Sequence, residues 1–263
     1  MGTAQPLKEI FMRYEHYTFQ AFLEVSILYS KVVSSDEYIR LCEKIGREEV
    51  CIFHAWKEFL DSIPSYVHPI IVSSSIREVW QSMKSFHIEQ HGQSSGLGRA
   101  SVIAGNNVSL HPYVVGDTSK ALVAKTLRKL HGGCQIISFG DSSLDIPMLS
   151  ESDYAYVVVN RKMNRSMKKF IAKALSGTTR ARLNQLIDLD TNRLSQLWHD
   201  GLPIQTLESL LKDLMTASNN AVIDCTSASI AAQVLATHTR DANLRGPTLQ
   251  RVELSSREDG YFN

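Results

Sequence analysis

Apolar residues recur at helical spacing through the front of the chain. Ile52, Trp56, Phe59 and Leu60 fall at i, i+4, i+7 and i+8, and Phe22, Val25, Leu28 and Tyr29 line up in the same way, so residues 8–62 read as helical. Ser34, Ser35 and Asp36 punctuate that stretch and can cap the next helix, and Pro64 and Pro69 end it. The period then changes. Residues 68–75 form a short buried strand running into small polar residues, and a helix follows over 76–86. A Gly-, Ser- and Gln-rich loop at 91–98 leads to short strands at 102–104 and 113–115. Residues 119–130 read as a helix that His131-Gly132-Gly133 stops, and 136–139 as a buried strand ending at Gly140-Asp141. A short helix at 146–149 and a strand at 156–159 complete the alternation, which predicts an α/β fold with a mainly parallel sheet.

Past residue 160 the pattern weakens. Residues 161–173 are basic and read as a solvated helix, and 180–214 as Leu-rich helical stretches around Gly201 and Pro203. Ala221-Val222-Ile223 can form one strand ending in Asp224, residues 230–237 look helical, and the polar ELSSREDGYFN terminus reads as frayed.

Composition narrows the class. With 43% hydrophobic and 21% charged residues and a formal net charge of +1, the chain reads as an ordinary globular protein. That balance gives no electrostatic case for nucleic acid or an anionic membrane surface. Cys42, Cys51, Cys134 and Cys225 are scattered without a CxxC pair, which suits free thiols in a reducing compartment. No apolar run approaches the roughly 18 residues of a membrane helix, and the MGTAQPLKEIF start lacks a signal-peptide pattern. Pro6 stands where a myristoylation signal wants Ser or Thr. A cytoplasmic location is expected.

Ligands of parallel α/β sheets sit beyond the carboxyl ends of the strands. Ser73-Ser74-Ser75 follows one predicted strand and Gly140-Asp141-Ser142-Ser143-Leu144-Asp145 another, while Lys120 starts the helix between them. A hydroxyl, a lysine and two carboxylates suit phosphate chemistry with a hard metal ion: carboxylates hold Mg²⁺, while hydroxyl and ammonium neutralise phosphoryl oxygens. Each has a plainer reading. The serines can cap the next helix, Lys120 can be a solvated lysine, and Asp141 and Asp145 can serve a turn and a helix start. Asp117 with Thr118 is expected to cap the following helix, and His68, His87, His91 and His111 show no ligand spacing. Trp56 and Trp80 stand at core spacing.

The order of these elements, with the GDSSLDIPML run the sharpest of them, resembles motifs II to IV of the haloacid dehalogenase superfamily, closest to its phosphoserine-phosphatase-like branch. The resemblance implies a magnesium-dependent phosphatase-type hydrolase acting on a small phosphorylated metabolite. Ser73 and Ser74 would bind the phosphoryl group, Ser73 and Lys120 would serve catalysis, and Asp141 and Asp145 would serve the metal. It implies a Rossmann-like α/β core over 67–175, a helical cap over 1–66 and a mostly helical extension over 176–263. More narrowly, the chain resembles the middle of fungal multidomain proteins that end in a uracil phosphoribosyltransferase-like domain, with Thr239-Arg240-Asp241 in the lead-in.

The family's nucleophile is the first aspartate of a DxDx[TV] motif, which becomes an aspartyl-phosphate. No strand before Ser73 ends in such an aspartate, so the chain is expected to be a fragment with impaired catalysis. The alternative is a non-catalytic phosphate- or partner-binding fragment of a nucleotide-metabolism protein. In the resembled fold the nucleophile strand lies between the strands before Ser73 and Asp141. Its loss leaves a slot that those neighbours, inward-moving helices or Ala221-Val222-Ile223 could fill.

Overall fold

The computed structural model describes residues 6–13, 18–32, 34–105, 114–159, 165–177, 181–187 and 204–216. Four helices come first: α1 (Pro6–Arg13), α2 (Phe19–Val32), α3 (Ser35–Glu48) and α4 (His54–Ser62). Ser34 caps α3, its hydroxyl accepting from the Glu37 N–H at 3.3 Å. Strand β1 (Ile70–Ile76), helices α5 (Arg77–His91) and α6 (Gly96–Arg99), and strand β2 (Ser101–Gly105) follow. Then come α7 (Asp117–Leu130), β3 (Ile137–Gly140), one 3₁₀ turn (Ser143–Asp145), α8 (Ile146–Glu151), β4 (Tyr154–Val159), α9 (Arg165–Leu175), β5 (Arg182–Ile187), β6 (Ile204–Thr206) and α10 (Leu207–Thr216).

All described strand pairings are parallel, and the strands form two ladders. One is β1-β2, the other β3-β4-β5-β6. Parallel strands are normally covered on both faces, which explains why the Tyr154–Val159 run is apolar throughout. Ala155 and Val157 pack with Leu149 of α8 and with Met167, Phe170 and Ile171 of α9. The alternate residues Tyr154, Tyr156 and Val158 pack with Phe59 and Ile63 from α4 and its end, and with Leu210 of α10. The smaller ladder is covered likewise, by Val123 and Leu127 of α7 on one side and by Trp80 and Met83 of α5 on the other.

Two elements hold the ladders together. Leu60 of α4 belongs both to the cluster around Phe139 and Tyr156 and to the cluster around Ile71 and Trp80. Trp56 and Phe59 of the same helix meet the Phe139 ring of β3 edge-on, at 5.2 and 6.1 Å between centroids. Helix α7 packs on β1 and β2, yet its Arg128 pairs with Asp153 at 3.1 Å and its Lys125 with Glu151 at 3.3 Å, both just before β4.

Several expectations change here. Residues 182–187 and 204–206 are strands, not helices, because β5 pairs in register with β4 from Tyr154↔Arg182 to Val159↔Ile187. The described part of the extension is thus a continuation of the sheet followed by α10, not a mostly helical appendage. Helix α9 is not simply solvated, since Met167 and Ile171 are fully buried on the sheet. Val114 and Val115 lie outside any strand and are buried; Val115 packs under α7. Cys42, Cys51 and Cys134 are free thiols. Ala221-Val222-Ile223, Asp224, Cys225, His111 and Thr239-Arg240-Asp241 lie outside the described residues. No described helix is long and apolar enough to cross a membrane.

Candidate functional site

The site begins with an irregularity in β1. Its pairing with β2 runs from Ile70↔Ser101 to Ser73↔Ala104 and resumes at Ile76↔Gly105, so Ser74 and Ser75 bulge out of the ladder at its carboxyl end. Gly105 faces the bulge: a Cβ there would sit 3.2 Å from the Ser74 carbonyl oxygen and 3.3 Å from that of Ser75. The Ser73 and Ser75 hydroxyls lie 2.8 Å apart, the Ser75 N–H donates to Ser73 Oγ at 3.2 Å, and the Trp80 indole N–H donates to Ser75 Oγ at 2.7 Å. The Ser74 hydroxyl is closed off from solvent and has no hydrogen-bond partner among the described residues.

The serines do not cap α5. Its N-cap is Ile76, without a side-chain cap bond, so the N–H groups of its first turn have no side-chain acceptor from the cap position. In α7 the cap position falls to Gly116, without a side-chain bond, and Asp117 acts from inside the first turn, its Oδ1 accepting from the Thr118 N–H at 2.7 Å. The N-terminus of α5, with its partial positive charge, therefore borders the bulge.

Lys120 is buried, not solvated, and its ammonium donates to Asp145 Oδ1 at 2.7 Å. The second oxygen, Oδ2, accepts from the Ser142 N–H at 3.0 Å and from its hydroxyl at 2.7 Å in a capping box. Gly140 makes this fold-back possible, because a Cβ there would sit 2.3 Å from the Asp145 Cβ. Both Asp145 oxygens are thus engaged, whereas Asp141 is exposed.

A cavity of about 570 Å³ joins these parts. Ser73, Ser74, Ser75, Lys120 and Leu144 line one side, and α1, α2 and α5 supply most of the rest. Four of the residues singled out in the sequence, Ser73, Ser74, Lys120 and Asp145, are therefore linked by the cavity and one ion pair. No aspartate or glutamate is among the described lining residues. Nor does any group of three or more His, Cys, Asp or Glu converge as metal ligands among the described residues. With Asp145 committed to Lys120 and Ser142, the described carboxylates do not by themselves make a magnesium site.

The walls were not foreseen as part of a site. Phe22, Val25, Tyr29 and Trp80 carried the right signal, an apolar stripe at helical spacing, but such a stripe reads as core unless a cavity is known beside it. Comparison with protein-family models, curated proteins and solved structures found no match.

Proposed function

We propose that this chain is a haloacid dehalogenase-like, phosphatase-type domain that keeps a phosphoryl-binding site for a small phosphorylated metabolite while its turnover is impaired. One arrangement carries the reading: serine hydroxyls, a buried lysine and the N-terminus of α5, which has no cap side chain, gather around one cavity at the carboxyl end of a parallel strand. Parallel strands with helices on both faces suit a Rossmann-like core of this kind.

In this reading Ser73 donates to a phosphoryl oxygen, the buried Ser74 hydroxyl turns toward the cavity to do the same, and the first-turn N–H groups of α5 add to them. Lys120 supplies positive charge, and Asp145 is the positioning residue that holds its ammonium at the cavity edge. In the resembled family the phosphoryl group passes to a carboxylate nucleophile in line before water releases it. The described lining offers none, which is why the reading stops at binding.

Assay with p-nitrophenyl phosphate and Mg²⁺ tests it. The expected result is release of p-nitrophenolate no faster than in buffer. Turnover clearly above buffer and abolished by Asp141→Asn would overturn the impairment and restore an active hydrolase.

A further inference from the structure

We infer that the cavity takes a phosphomonoester whose organic part is an apolar, aromatic group, not a sugar or an amino acid. The inference rests on the phosphoryl-binding reading above and concerns the other side of the cavity.

The wall opposite the serines is carbon. Phe11 of α1, Phe22, Val25 and Tyr29 of α2, and Val79 and Trp80 of α5 face the space. The Phe11 and Phe22 rings meet edge to face at 5.4 Å, which holds α1 and α2 together as one wall. Polar groups on this side are few, the Tyr29 hydroxyl among them, and two of the donors are used within the protein. The Trp80 indole N–H goes to Ser75 at 2.7 Å, which turns the ring itself toward the space as apolar surface. The Ser26 hydroxyl donates to the Phe22 carbonyl at 2.9 Å.

Charge decides against the other common phosphomonoesters. Lys120 is the one charged residue among the described lining, and it is paired with Asp145 at the serine side. The ammonium of an amino-acid phosphoester would have no carboxylate to meet, and its carboxylate no free cation. The several hydroxyls of a sugar phosphate would lose water against a mainly apolar wall whose few polar groups, such as Tyr29 and Ser26, cannot pair them all, which selects against them. An aromatic ring loses nothing polar and gains contact with Phe11, Phe22, Tyr29 and Trp80. Size agrees: about 570 Å³ falls within the range of cavities that hold small organic ligands, with room beyond a phosphoryl group.

Calorimetric titration of the unmodified chain with inorganic phosphate, glycerol 3-phosphate, phosphoserine, 1-naphthyl phosphate and 1-naphthol tests this. Affinity for 1-naphthyl phosphate is expected to exceed that for glycerol 3-phosphate and phosphoserine at least tenfold, with inorganic phosphate competing. Phe22→Ala should lower the naphthyl phosphate affinity at least fivefold; the ligand series on the unmodified chain stands alone if that variant does not fold. A preference below tenfold overturns the inference and leaves the phosphoryl site intact. Binding of 1-naphthol as tight as that of its phosphate, with no competition from inorganic phosphate, overturns the phosphoryl reading and the inference with it.

Discussion

Lys120 Nζ lies 2.7 Å from Asp145 Oδ1, with both side chains buried and their positions 25 apart in the chain. The pair crosses the division between the two ladders. Helix α7, which carries Lys120, packs on β1 and β2, while Asp145 follows β3. One contact thus joins the halves of the molecule and fixes the ammonium beside the serine bulge.

Breaking that contact from one side should be costly. Lys120→Met leaves a buried carboxylate held only by Ser142, and stability in urea should fall by about 3–5 kcal/mol. Lys120→Met combined with Asp145→Leu should recover part of the loss, because no unpaired charge then remains buried. A single-variant loss below about 1 kcal/mol would show that the pair does not hold the ladders together.

Gly140→Ala tests the fold-back that brings Asp145 to the lysine. The added methyl would meet Asp145 Cβ at 2.3 Å and Cγ at 2.8 Å, so the loop must shift. We expect a loss of about 1–3 kcal/mol in urea unfolding together with weaker phosphate binding. Unchanged binding would mean that Asp145 does not position Lys120.

Acid should weaken the fold before the carboxylates titrate. Burial depresses the basicity of His87, only partly offset by the Asp61 carboxylate, whose Oδ1 is 3.6 Å from its Nε2; His91 and Lys57 depress it further. Burial also lowers His68, with Arg99, Lys84 and His131 adding to the effect. Each histidine holds its proton more weakly folded than unfolded, so the unfolded chain binds more protons once the pH falls below about 6.5. Melting temperature should therefore be flat above neutrality and fall as the pH drops through 6.5 toward 5, with His87→Gln flattening part of the slope. A melting temperature constant between pH 7 and 5 would contradict this.

The contiguous parts of the candidate site were legible in the sequence, and the parts made by packing were not. Asp145 and Ser142 bond to each other across three residues, so the GDSSLD run carries its own geometry. Lys120 was legible by its order between two strands. The bulge at Ser74 and Ser75 was not, because it depends on pairing with β2, and neither was the wall from α1 and α2. Strand β5 was misread for a physical reason: the spacing of Leu183, Leu186 and Ile187 suits a helix as well as a short strand. Parallel pairing with β4, which no local pattern records, settles it. Helix α9 was misjudged because its charged residues mask the positions Met167, Phe170 and Ile171 that face the sheet.

Ser74 offers the sharpest separation of fold from function. Its hydroxyl is buried without a partner among the described residues, so the fold gains nothing from it. Ser74→Ala should leave stability unchanged or raise it by up to about 1 kcal/mol. The same change should weaken binding at the site, as expected where a polar group is kept for a ligand. The decisive measurement is calorimetric titration of inorganic phosphate into the unmodified chain and into Ser74→Ala, with urea unfolding of both. The account predicts saturable binding to the unmodified chain, at least tenfold weaker in Ser74→Ala, with the variant no less stable. No saturable binding to the unmodified chain, or equal binding by both, would contradict it.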